Sequence, residues 1–338
     1  MILERLQLQN FRNFKDFSLQ ISGNGQLHIY GANGTGKTNL LEAIYILFTS
    51  KSFRNRKSLR DCVRMGESYF HLQADINGVR NGMTFSSENM EKSFMLDQER
   101  VKNLDFIRGK NVLHFSPDET QLFFQSQELR RGLLDRYLSA LNVPFLQKLV
   151  EFSNLRQKKV KILLSKTSRK RALLELDNPT FRAKSNEISE DRSWFTDQLN
   201  PSFQAYLEKL NPKLRNSTLK YRKRAIPENY LERELLQERV LYGCHKEELD
   251  IIDNGKEVRA FFSNGEKKVI NLAIHFAFME LLKRETGLTC LVCLDDIESE
   301  LDANTLKNIR DILDNTESQV ILTSKMIERA SETDLLLT

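Results

Sequence analysis

The sequence is poor in cysteine and tryptophan, with four cysteines and one tryptophan in 338 residues. Four thiols in a chain of this length exclude a dense disulfide framework, and we expect them to be reduced. Cys290 and Cys293 form a C-x-x-C inside an apolar, strand-like run without a second pair nearby. That setting favours buried small hydrophobic side chains over metal or redox chemistry.

Long hydrophobic runs are also missing, because no apolar stretch reaches the roughly 18 residues of a membrane helix. Glu4 and Arg5 interrupt the N-terminal segment before a signal-peptide pattern can develop. We therefore expect a cytoplasmic protein with no membrane partner. No internal repeat or low-complexity segment is present. The length and the 40% hydrophobic content allow one large domain or two lobes. The net charge of +5 permits a nucleic-acid partner without establishing one.

Residues 31–38 fit the P-loop pattern G-x-x-x-x-G-K-[ST] between an apolar, strand-like segment and a helix-like one. Such a loop surrounds a polyphosphate with backbone N–H groups, and the helix N-terminus adds partial positive charge. The alternative, a glycine-rich turn that matches by accident, does not explain these flanks. Lys37 is expected to reach the β- and γ-phosphates of ATP, and the Thr38 hydroxyl to ligate Mg²⁺. The predicted nucleotide-binding residues of the loop are Gly31, Ala32, Asn33, Gly34, Thr35, Gly36, Lys37, Thr38 and Asn39.

A second acidic element follows the apolar strand predicted at residues 291–294. Asp295 is placed to hold Mg²⁺ through water, and Asp296 stands where a general base or a water-orienting carboxylate is needed. An ordinary Asp-Asp turn after a strand is the alternative, and the P-loop earlier in the chain argues against it. We predict catalytic roles for Lys37, Asp295 and Asp296.

Ser263, Asn264, Gly265 and Glu266 precede a long apolar helix predicted at residues 267–283. A Ser-x-Gly turn at a helix N-terminus can bind an anion through its hydroxyl and free N–H groups. It can equally be a helix cap followed by a turn glycine. Its position, one helix before the Asp-Asp strand, favours the anion-binding interpretation for Ser263 and Gly265.

Secondary-structure patterns divide the chain into three parts. Residues 1–30 predict strands around a polar turn at 10–15, and residues 69–101 predict an antiparallel β-meander with hairpin signals at both Asn77-Gly78 and Asn81-Gly82. From residue 241, a hairpin with its turn at Asn254-Gly255 is followed by alternating strands and helices, which favours a mostly parallel sheet. Leucines at helical spacing dominate between these parts. We predict domains at 1–119 with 241–338, and an inserted helical lobe at 120–240.

The helical lobe contains five prolines and two runs of basic residues. Pro144, Pro179, Pro201, Pro212 and Pro227 predict several separate helices. Runs of lysine and arginine occur at residues 156–171 and 220–224, and a basic patch follows the P-loop helix. Such runs are often only solvated helix faces, but their clustering favours contacts to a phosphate backbone. The candidate DNA-binding residues are Lys51, Arg54, Arg56, Lys57, Arg156, Lys158 and Lys159.

The order of P-loop, Ser-x-Gly turn, Asp-Asp strand and Ser-x-Leu-Asp loop at 299–302 resembles ABC-type ATPases. The segment around Leu8, Asn10, Phe11 and Arg12, and the form Gly-x-Asn-Gly-x-Gly-Lys-Thr-Asn at residues 31–39, resemble the SMC-like DNA-repair branch, and within it the RecF family. Further segments at 115–118, 130–135, 243–248 and 294–302 extend this resemblance nearly end to end. It implies an α/β fold: an ABC-type P-loop ATPase head, with a mixed sheet and an antiparallel β subdomain, plus a helical lobe inserted as in SMC-like heads.

The resemblance also implies function. It predicts an ATP- and Mg²⁺-dependent homodimer in which the Ser263 turn of one copy caps ATP held by the P-loop of another, with Arg12 also near the nucleotide. It implies binding to duplex DNA at single-strand gaps and junctions, cooperation with RecR and RecO-like mediators in loading the recombinase, and hydrolysis that drives release.

This chain departs from the family pattern at several positions. Glu266 replaces the usual glutamine of the signature, and Cys244 replaces a proline before His245. Thr323 and Ser324 stand where many ABC-type ATPases place a switch histidine. We therefore expect weak, slow ATP hydrolysis. His245 itself fits either a functional residue or a core histidine satisfied by a backbone carbonyl.

Two other classes of protein remain as alternatives. A transporter ATPase subunit would need a coupling surface for membrane helices, whereas the first strand leads directly into the RecF-like segment at residues 10–12. A nucleotide-gated DNA clamp with negligible ATPase activity is favoured by Asp296, which is shorter than the usual glutamate, and by Glu266.

Overall fold

The computed structural model describes residues 1–21, 25–55, 58–257, 261–325 and 334–337. Two compact units make up the chain. The first combines Met1–Gln121 with Gly287–Thr338, and the second is Leu122–Thr286. Within the described residues, no helix is both long enough and apolar enough to cross a membrane.

An antiparallel sheet of six strands forms part of the first unit, in the order β2-β1-β4-β5-β6-β7. Its strands are β1 (Leu3–Phe11), β2 (Phe14–Gln20), β4 (Tyr69–Ile76), β5 (Val79–Ser86), β6 (Lys92–Leu96) and β7 (Glu99–Val101). Ile76 pairs with Val79, so Asn77 and Gly78 form the hairpin turn, both at positive φ. Asn81-Gly82 lies inside β5 instead. The predicted meander is confirmed, and cross-strand pairing decides between its two turn signals.

The second sheet of this unit is parallel, with the order β14-β3-β13-β12-β8. Its strands are β3 (Gln26–Tyr30), β8 (Val112–Phe115), β12 (Leu291–Asp295), β13 (Gln319–Ser324) and β14 (Leu335–Leu336). Helices α2 (Asn103–Ile107) and α9 (Ala303–Asp314) belong to the same unit, and α3 (Pro117–Gln125) runs across the boundary between the units. The predicted parallel sheet is confirmed.

Helix α1 (Lys37–Thr49) packs against strands of both sheets. Nine successive residues, 40–48, are buried. A helix that is buried on all sides must lie inside a core, and one apolar cluster contains α1 together with residues from both sheets. The helix that carries the P-loop lysine is thus held rigidly by its surroundings.

The second unit is built on helices. They are α4 (Gln127–Leu141), α5 (Val143–Leu164), α6 (Lys170–Leu210), α7 (Tyr230–Gln237) and α8 (Asn264–Thr286). A small antiparallel sheet, ordered β11-β10-β9, joins them with strands β9 (Ser217–Arg222), β10 (Glu248–Asp253) and β11 (Lys256–Glu257). The described residues also contain 3₁₀ turns at Arg60–Cys62 in the first unit and at Pro212–Leu214 and Cys244–Lys246 in the second.

Two details of the helical lobe differ from the sequence predictions. Pro179 and Pro201 lie inside the single 41-residue helix α6, so the prediction that they separate helices is wrong. Packing of α6 against both α5 and α8 outweighs the local cost of proline. Residues 241–286, expected in the ATPase lobe, lie in the second unit. They do so because β10 pairs with β9 and α8 packs on α6.

Candidate nucleotide site

The carboxyl ends of three neighbouring parallel strands place the predicted site residues at one sheet edge. Tyr30, the last residue of β3, pairs with Ser324 of β13, and Thr323 of β13 pairs with Asp295 of β12. The P-loop follows β3, and Asp296 follows β12. Open α/β sheets bind ligands at this edge, so the topology assembles what the sequence separates by about 260 residues.

The P-loop is folded around the Lys37 side chain. The Lys37 ammonium donates hydrogen bonds to the carbonyl oxygens of Gly31 at 2.5 Å and Ala32 at 2.9 Å. Gly36 caps α1 with a φ of 108°, and a side chain there would meet Asn13 at 2.7 Å. Glycine is favoured at Gly36 by its left-handed backbone conformation, and a Cβ there would also displace the Asn13 amide.

Lys37 has a perturbed electrostatic environment. Partial burial lowers the pKa of Lys37, while the negative charges of Asp295 and Asp296 oppose that shift. Lys325 is also close enough to lower the Lys37 pKa through its charge. Two lysines and two aspartates thus interact at one sheet edge, a grouping typical of a site that handles a charged ligand.

Thr323 links the two aspartates. Its hydroxyl donates to Asp295 Oδ1 at 2.5 Å and accepts from the Asp296 N–H at 3.2 Å. Asp295 is buried, with 6% of its surface exposed. Asp296 instead faces a cation, because its Oδ2 lies 3.9 Å from the Lys325 ammonium. The position expected for a switch histidine is therefore occupied by a hydroxyl that orients Asp295.

Arg12 forms a buried ion pair at the base of the P-loop helix. Its Nε and Nη2 donate to the two carboxylate oxygens of Glu42 at 2.9 and 2.8 Å, and Nη1 donates to the Asp61 carbonyl at 2.7 Å. Glu42 is fully buried on α1. Burial alone would lower the pKa of Arg12, but hydrogen bonding and the charge of Glu42 raise it. Arg12 thus anchors the β1–β2 turn to α1, and its contact with a nucleotide stays a prediction.

An amide network connects this ion pair to the loop. Asn13 donates to the Thr35 carbonyl at 3.1 Å and accepts from Asn39 at 2.8 Å. Arg54 donates to Asn39 at 2.6 Å and to Glu42 at 3.3 Å. Asn39 and Arg54, predicted to bind nucleotide and DNA respectively, therefore both brace the P-loop.

The side chains at this edge suit ATP with Mg²⁺. Gly36 keeps the loop backbone free of side-chain bulk, and Lys37 lies beside the loop carbonyls. The Thr38 hydroxyl and the Asp295 carboxylate supply hard oxygen ligands of the kind that Mg²⁺ prefers. Thr38 lies in the first turn of α1, and Thr323 holds Asp295 in one orientation.

The Ser263 turn of the second unit is a complete capping box. The Ser263 N–H and hydroxyl both donate to Glu266 Oε2 at 2.8 Å, and the Glu266 N–H donates back to Ser263 Oγ at 3.3 Å. The cap interpretation is thus correct for this state of the chain. Glu266, the departure from the family pattern, is the residue that closes the box.

The predicted DNA-binding residues have different surroundings. Lys51 and Arg156 are exposed, and Arg56 and Lys57 lie outside the described residues. The Lys158 ammonium lies 2.7 Å from Asp177. Lys159 is 2% exposed, and its ammonium lies 2.7 Å from the buried Glu234. Lys159 therefore serves in the core of the second unit, a correction to its predicted place on the DNA-binding surface.

All four cysteines are free and buried, which confirms that they form no disulfide and that Cys290 and Cys293 are small core residues. Burial raises the pKa of the Cys62 and Cys290 thiols to about 12, so both stay protonated. Nowhere in the described ranges do three or more histidine, cysteine or acidic side chains gather in a way that could hold a metal ion.

The class is defined by the two sheets around α1, the P-loop, Asp295 at the end of β12 and Asp296 just after it: an SMC-like, ABC-type ATPase head. The fold is similar to a structure of the recombination mediator RecF with ATP, at a TM-score of 0.84 and 24% identity over 97% of this chain and 93% of that one. An SMC head bound to the C-winged helix domain of ScpA matches at a TM-score of 0.57 and 17% identity, over 96% and 89% of the two chains.

Residues 2–337 match the RecF/RecN/SMC N-terminal domain family. The DNA replication and repair protein RecF of Carboxydothermus hydrogenoformans is 30% identical over 96% of this chain and 94% of its own length. RecF of Geotalea daltonii is 28% identical over 97% and 94%. The chain belongs to the RecF family of DNA replication and repair proteins.

Sequence reasoning missed Asn13, Glu42, Lys325 and the bridging role of Thr323. Glu42 lies in the helix that follows the P-loop, and its burial depends on both sheets packing around α1. Asn13 could have been suspected from its place in the turn before β2. Lys325 carried no signal, because only the strand order puts it beside Asp296.

Proposed function

We propose that this protein is an ATP-dependent DNA-binding protein of recombinational repair and replication-fork maintenance. The observation that carries the proposal is the convergence of Lys37, Asp295 and Asp296 at one sheet edge. ATP bound by solved RecF supports a nucleotide here. The RecFOR pathway named for that structure supports cooperation with RecO- and RecR-like partners. We place this cooperation on duplex DNA at single-strand gaps and junctions.

When bound, Mg²⁺ would neutralise phosphate charge, with Thr38 as a direct ligand and Asp295 acting through water. Lys37 would exchange its two loop carbonyl partners for phosphate oxygens. The loop N–H groups would hold the rest of the polyphosphate. Asp296 would orient a water molecule, with Lys325 balancing its charge.

One P-loop neutralises a triphosphate incompletely, so a second anion-binding helix N-terminus would complete the enclosure. We propose that Ser263 and Gly265 of a second copy supply it, which makes dimerisation dependent on ATP. Ser263 must then release Glu266, because the two are hydrogen bonded in this state. Hydrolysis, slow because Thr323 replaces a histidine, would separate the copies and release DNA.

A second candidate, a nucleotide-gated DNA clamp with negligible ATPase activity, is favoured by the same Ser263–Glu266 contact. A carboxylate 2.8 Å from the signature hydroxyl would repel a γ-phosphate. In this version, binding of ATP closes the dimer and turnover plays little part. ATP turnover measured with and without duplex DNA distinguishes the two candidates.

The test of the proposed function is molar mass in solution with ATP, ADP or no nucleotide, for the wild type and Lys37→Met. We expect a dimer only with ATP and only in the wild type. A monomer under all three conditions would remove the shared-site mechanism. Nucleotide binding is measured in parallel, so that loss of ATP binding is separated from loss of dimerisation.

Glu266→Gln extends this test to the signature. The amide keeps a hydrogen-bonding group at the capping box but removes the charge near Ser263. We expect the variant to dimerise at a lower ATP concentration than the wild type. Glu285→Gln is the matched control, because Glu285 is an exposed carboxylate of the same helix, paired with Arg284. An equal effect of both variants would count against a role for Glu266 at the nucleotide.

A further inference from the structure

We propose that five cationic side chains around the 3₁₀ turn Cys244–Lys246 form a contact site for the phosphates of duplex DNA. This inference rests on the proposed DNA-binding function and assigns it a surface on the second unit. The cluster, called the turn cluster below, consists of Arg131, Arg156, Arg224, Arg239 and Lys246.

Several chain segments bring these residues together. Arg131, on α4, donates from Nη1 to the Glu247 carbonyl at 2.6 Å, which places it beside the turn. Phe152 of α5 packs near the His245 ring, with centroids 6.0 Å apart. Arg156 follows Phe152 by four residues, so it projects from the same face of α5, one helical turn further along.

Two more segments complete the convergence. The Arg224 N–H, just beyond β9, lies 3.4 Å from Glu247 Oε1. Arg239 follows α7. Its positive charge, like those of the other three arginines, lowers the pKa of Lys246. Arg156 and Arg224 come from two separate basic runs of the sequence, and only the fold joins them to the other three members.

Two of the neighbouring carboxylates, Glu247 and Asp135, are engaged elsewhere. Glu247 is 5% exposed and accepts hydrogen bonds from Ser189 and Tyr221, both at 2.7 Å. Asp135 attracts Arg131 but is held by both ends of the Arg192 guanidinium, at 2.7 and 2.8 Å. Across the part of the chain that the structure describes, none of the five cations forms an ion pair with a carboxylate.

Three lysines of the second unit, unlike the members of the turn cluster, form ion pairs with carboxylates. The ammonium groups of Lys158, Lys170 and Lys223 lie 2.7, 2.9 and 2.6 Å from carboxylates of Asp177, Glu238 and Glu190. Those positive charges are already neutralised locally. Unlike these three lysines, the five cations of the turn cluster gather around one turn without a carboxylate ion pair among the described residues.

Mutual repulsion between these cations lowers the pKa values of the turn residues. Burial lowers the pKa of Lys246, and the four arginines lower it further. Burial together with the charges of Arg156, Lys246 and Arg131 lowers the pKa of His245 to about 3, so its ring stays neutral. The folded chain by itself does not relieve this repulsion. An anion bound at the turn would do so.

The composition of the turn cluster favours duplex phosphates. Four of its five members are arginines, whose planar guanidinium groups bind phosphate through paired hydrogen bonds. Arg156, Arg224, Arg239 and Lys246 are exposed, as contact with a long polyanion requires. Single-strand binding relies on accessible aromatic side chains, whereas the aromatic neighbours of the turn, Phe152 and Phe181, are buried.

The test compares two triple variants of the full chain. Arg156→Gln, Arg239→Gln and Lys246→Gln together remove three exposed members of the turn cluster. Lys170→Gln, Lys184→Gln and Lys223→Gln together remove the same charge from ion pairs of the same unit. Binding to a duplex is followed by fluorescence anisotropy, in the presence of ATP and Mg²⁺, over about 50 to 200 mM salt.

We expect a shallower salt dependence for the turn-cluster variant. The magnitude of the negative slope of log affinity against log salt should fall by about 2 to 3, because each lost phosphate contact removes about 0.9. The ion-pair variant should retain the wild-type slope. If both variants behave alike, or if only single-strand binding falls, the inference is overturned. If the wild type itself binds no duplex, the result contradicts the proposed function. Nucleotide binding and thermal unfolding verify folding, and the three single variants replace the triple one if it unfolds.

Discussion

The Thr323 hydroxyl bridges Asp295 and the backbone N–H of Asp296 across two neighbouring strands. One side chain thus sets the orientation of the carboxylate that the proposed Mg²⁺ site requires, and also the start of the loop that carries the second carboxylate. Thr323 is a positioning residue, since it acts on the proposed site through Asp295.

Thr323→Val keeps the shape of the side chain but removes both hydrogen bonds. We expect Mg²⁺-dependent ATP affinity to fall about 10-fold, the lower end of the effect of losing a group that orients a metal ligand. Nucleotide affinity without Mg²⁺ should not change. Titration with a fluorescent ATP analogue, with and without Mg²⁺, measures both quantities. Thr323→Ser, which retains the hydroxyl, should restore the Mg²⁺ dependence, and an unchanged Val variant would contradict the assignment.

Lys159 and Lys158 are adjacent lysines with opposite surroundings. Lys159→Ala leaves the buried Glu234 carboxylate without its cation, so we expect the free energy of unfolding to fall by about 3 to 5 kcal/mol. Lys158→Ala breaks an exposed ion pair with Asp177 and should cost at most about 1 kcal/mol. Urea unfolding of both variants measures the difference. Equal losses would show that Lys159 is not the buried partner that the structure places there.

His245 makes stability depend on pH. Its folded-state pKa of about 3 lies below the unfolded value of about 6.5. Between these values the unfolded chain binds more protons. The contribution of neutral His245 is therefore complete above pH about 6.5 and declines as the pH falls toward 3. The slope attributable to this one group approaches about 1.4 kcal/mol per pH unit.

His245→Gln removes that titration. We expect the difference in unfolding free energy between wild type and variant to shrink as the pH falls from about 7 to 4, while the carboxylates common to both contribute equally. Urea unfolding at several pH values provides the measurement. A difference that stays constant with pH would mean that His245 titrates normally in the folded chain.

Local patterns predicted much of the first unit. The P-loop, the meander, and the strands and helix of residues 291–322 were found from residues close together in sequence, and the structure confirms them. The Asn254-Gly255 turn is also confirmed, between β10 and β11. Predictions failed where packing competes with local preference. Pro179 and Pro201 should end helices, yet α6 continues through both because its partners α5 and α8 hold it.

The residues of the candidate nucleotide site also form two groups: those that the sequence identified and those that only the structure revealed. Lys37, Asp295 and Asp296 were identifiable because each sits in a short motif with its own strand or helix. Thr323, Lys325 and Asn13 were not, since their meaning comes from strand order and from a turn that reaches the P-loop. Ser263 was ambiguous in the sequence, and the capping box is visible only once the Glu266 side chain has a position.

The sequence by itself determined the family, the P-loop and the alternation of elements, because these depend on residue types at short, regular spacing. Tertiary structure alone decided which charges are neutralised. Lys158, Lys159 and Arg156 look alike in the sequence, yet one lies in an exposed ion pair, one is buried and one belongs to the turn cluster. Charge pairing is decided by distances between segments far apart in the chain, which no local pattern encodes.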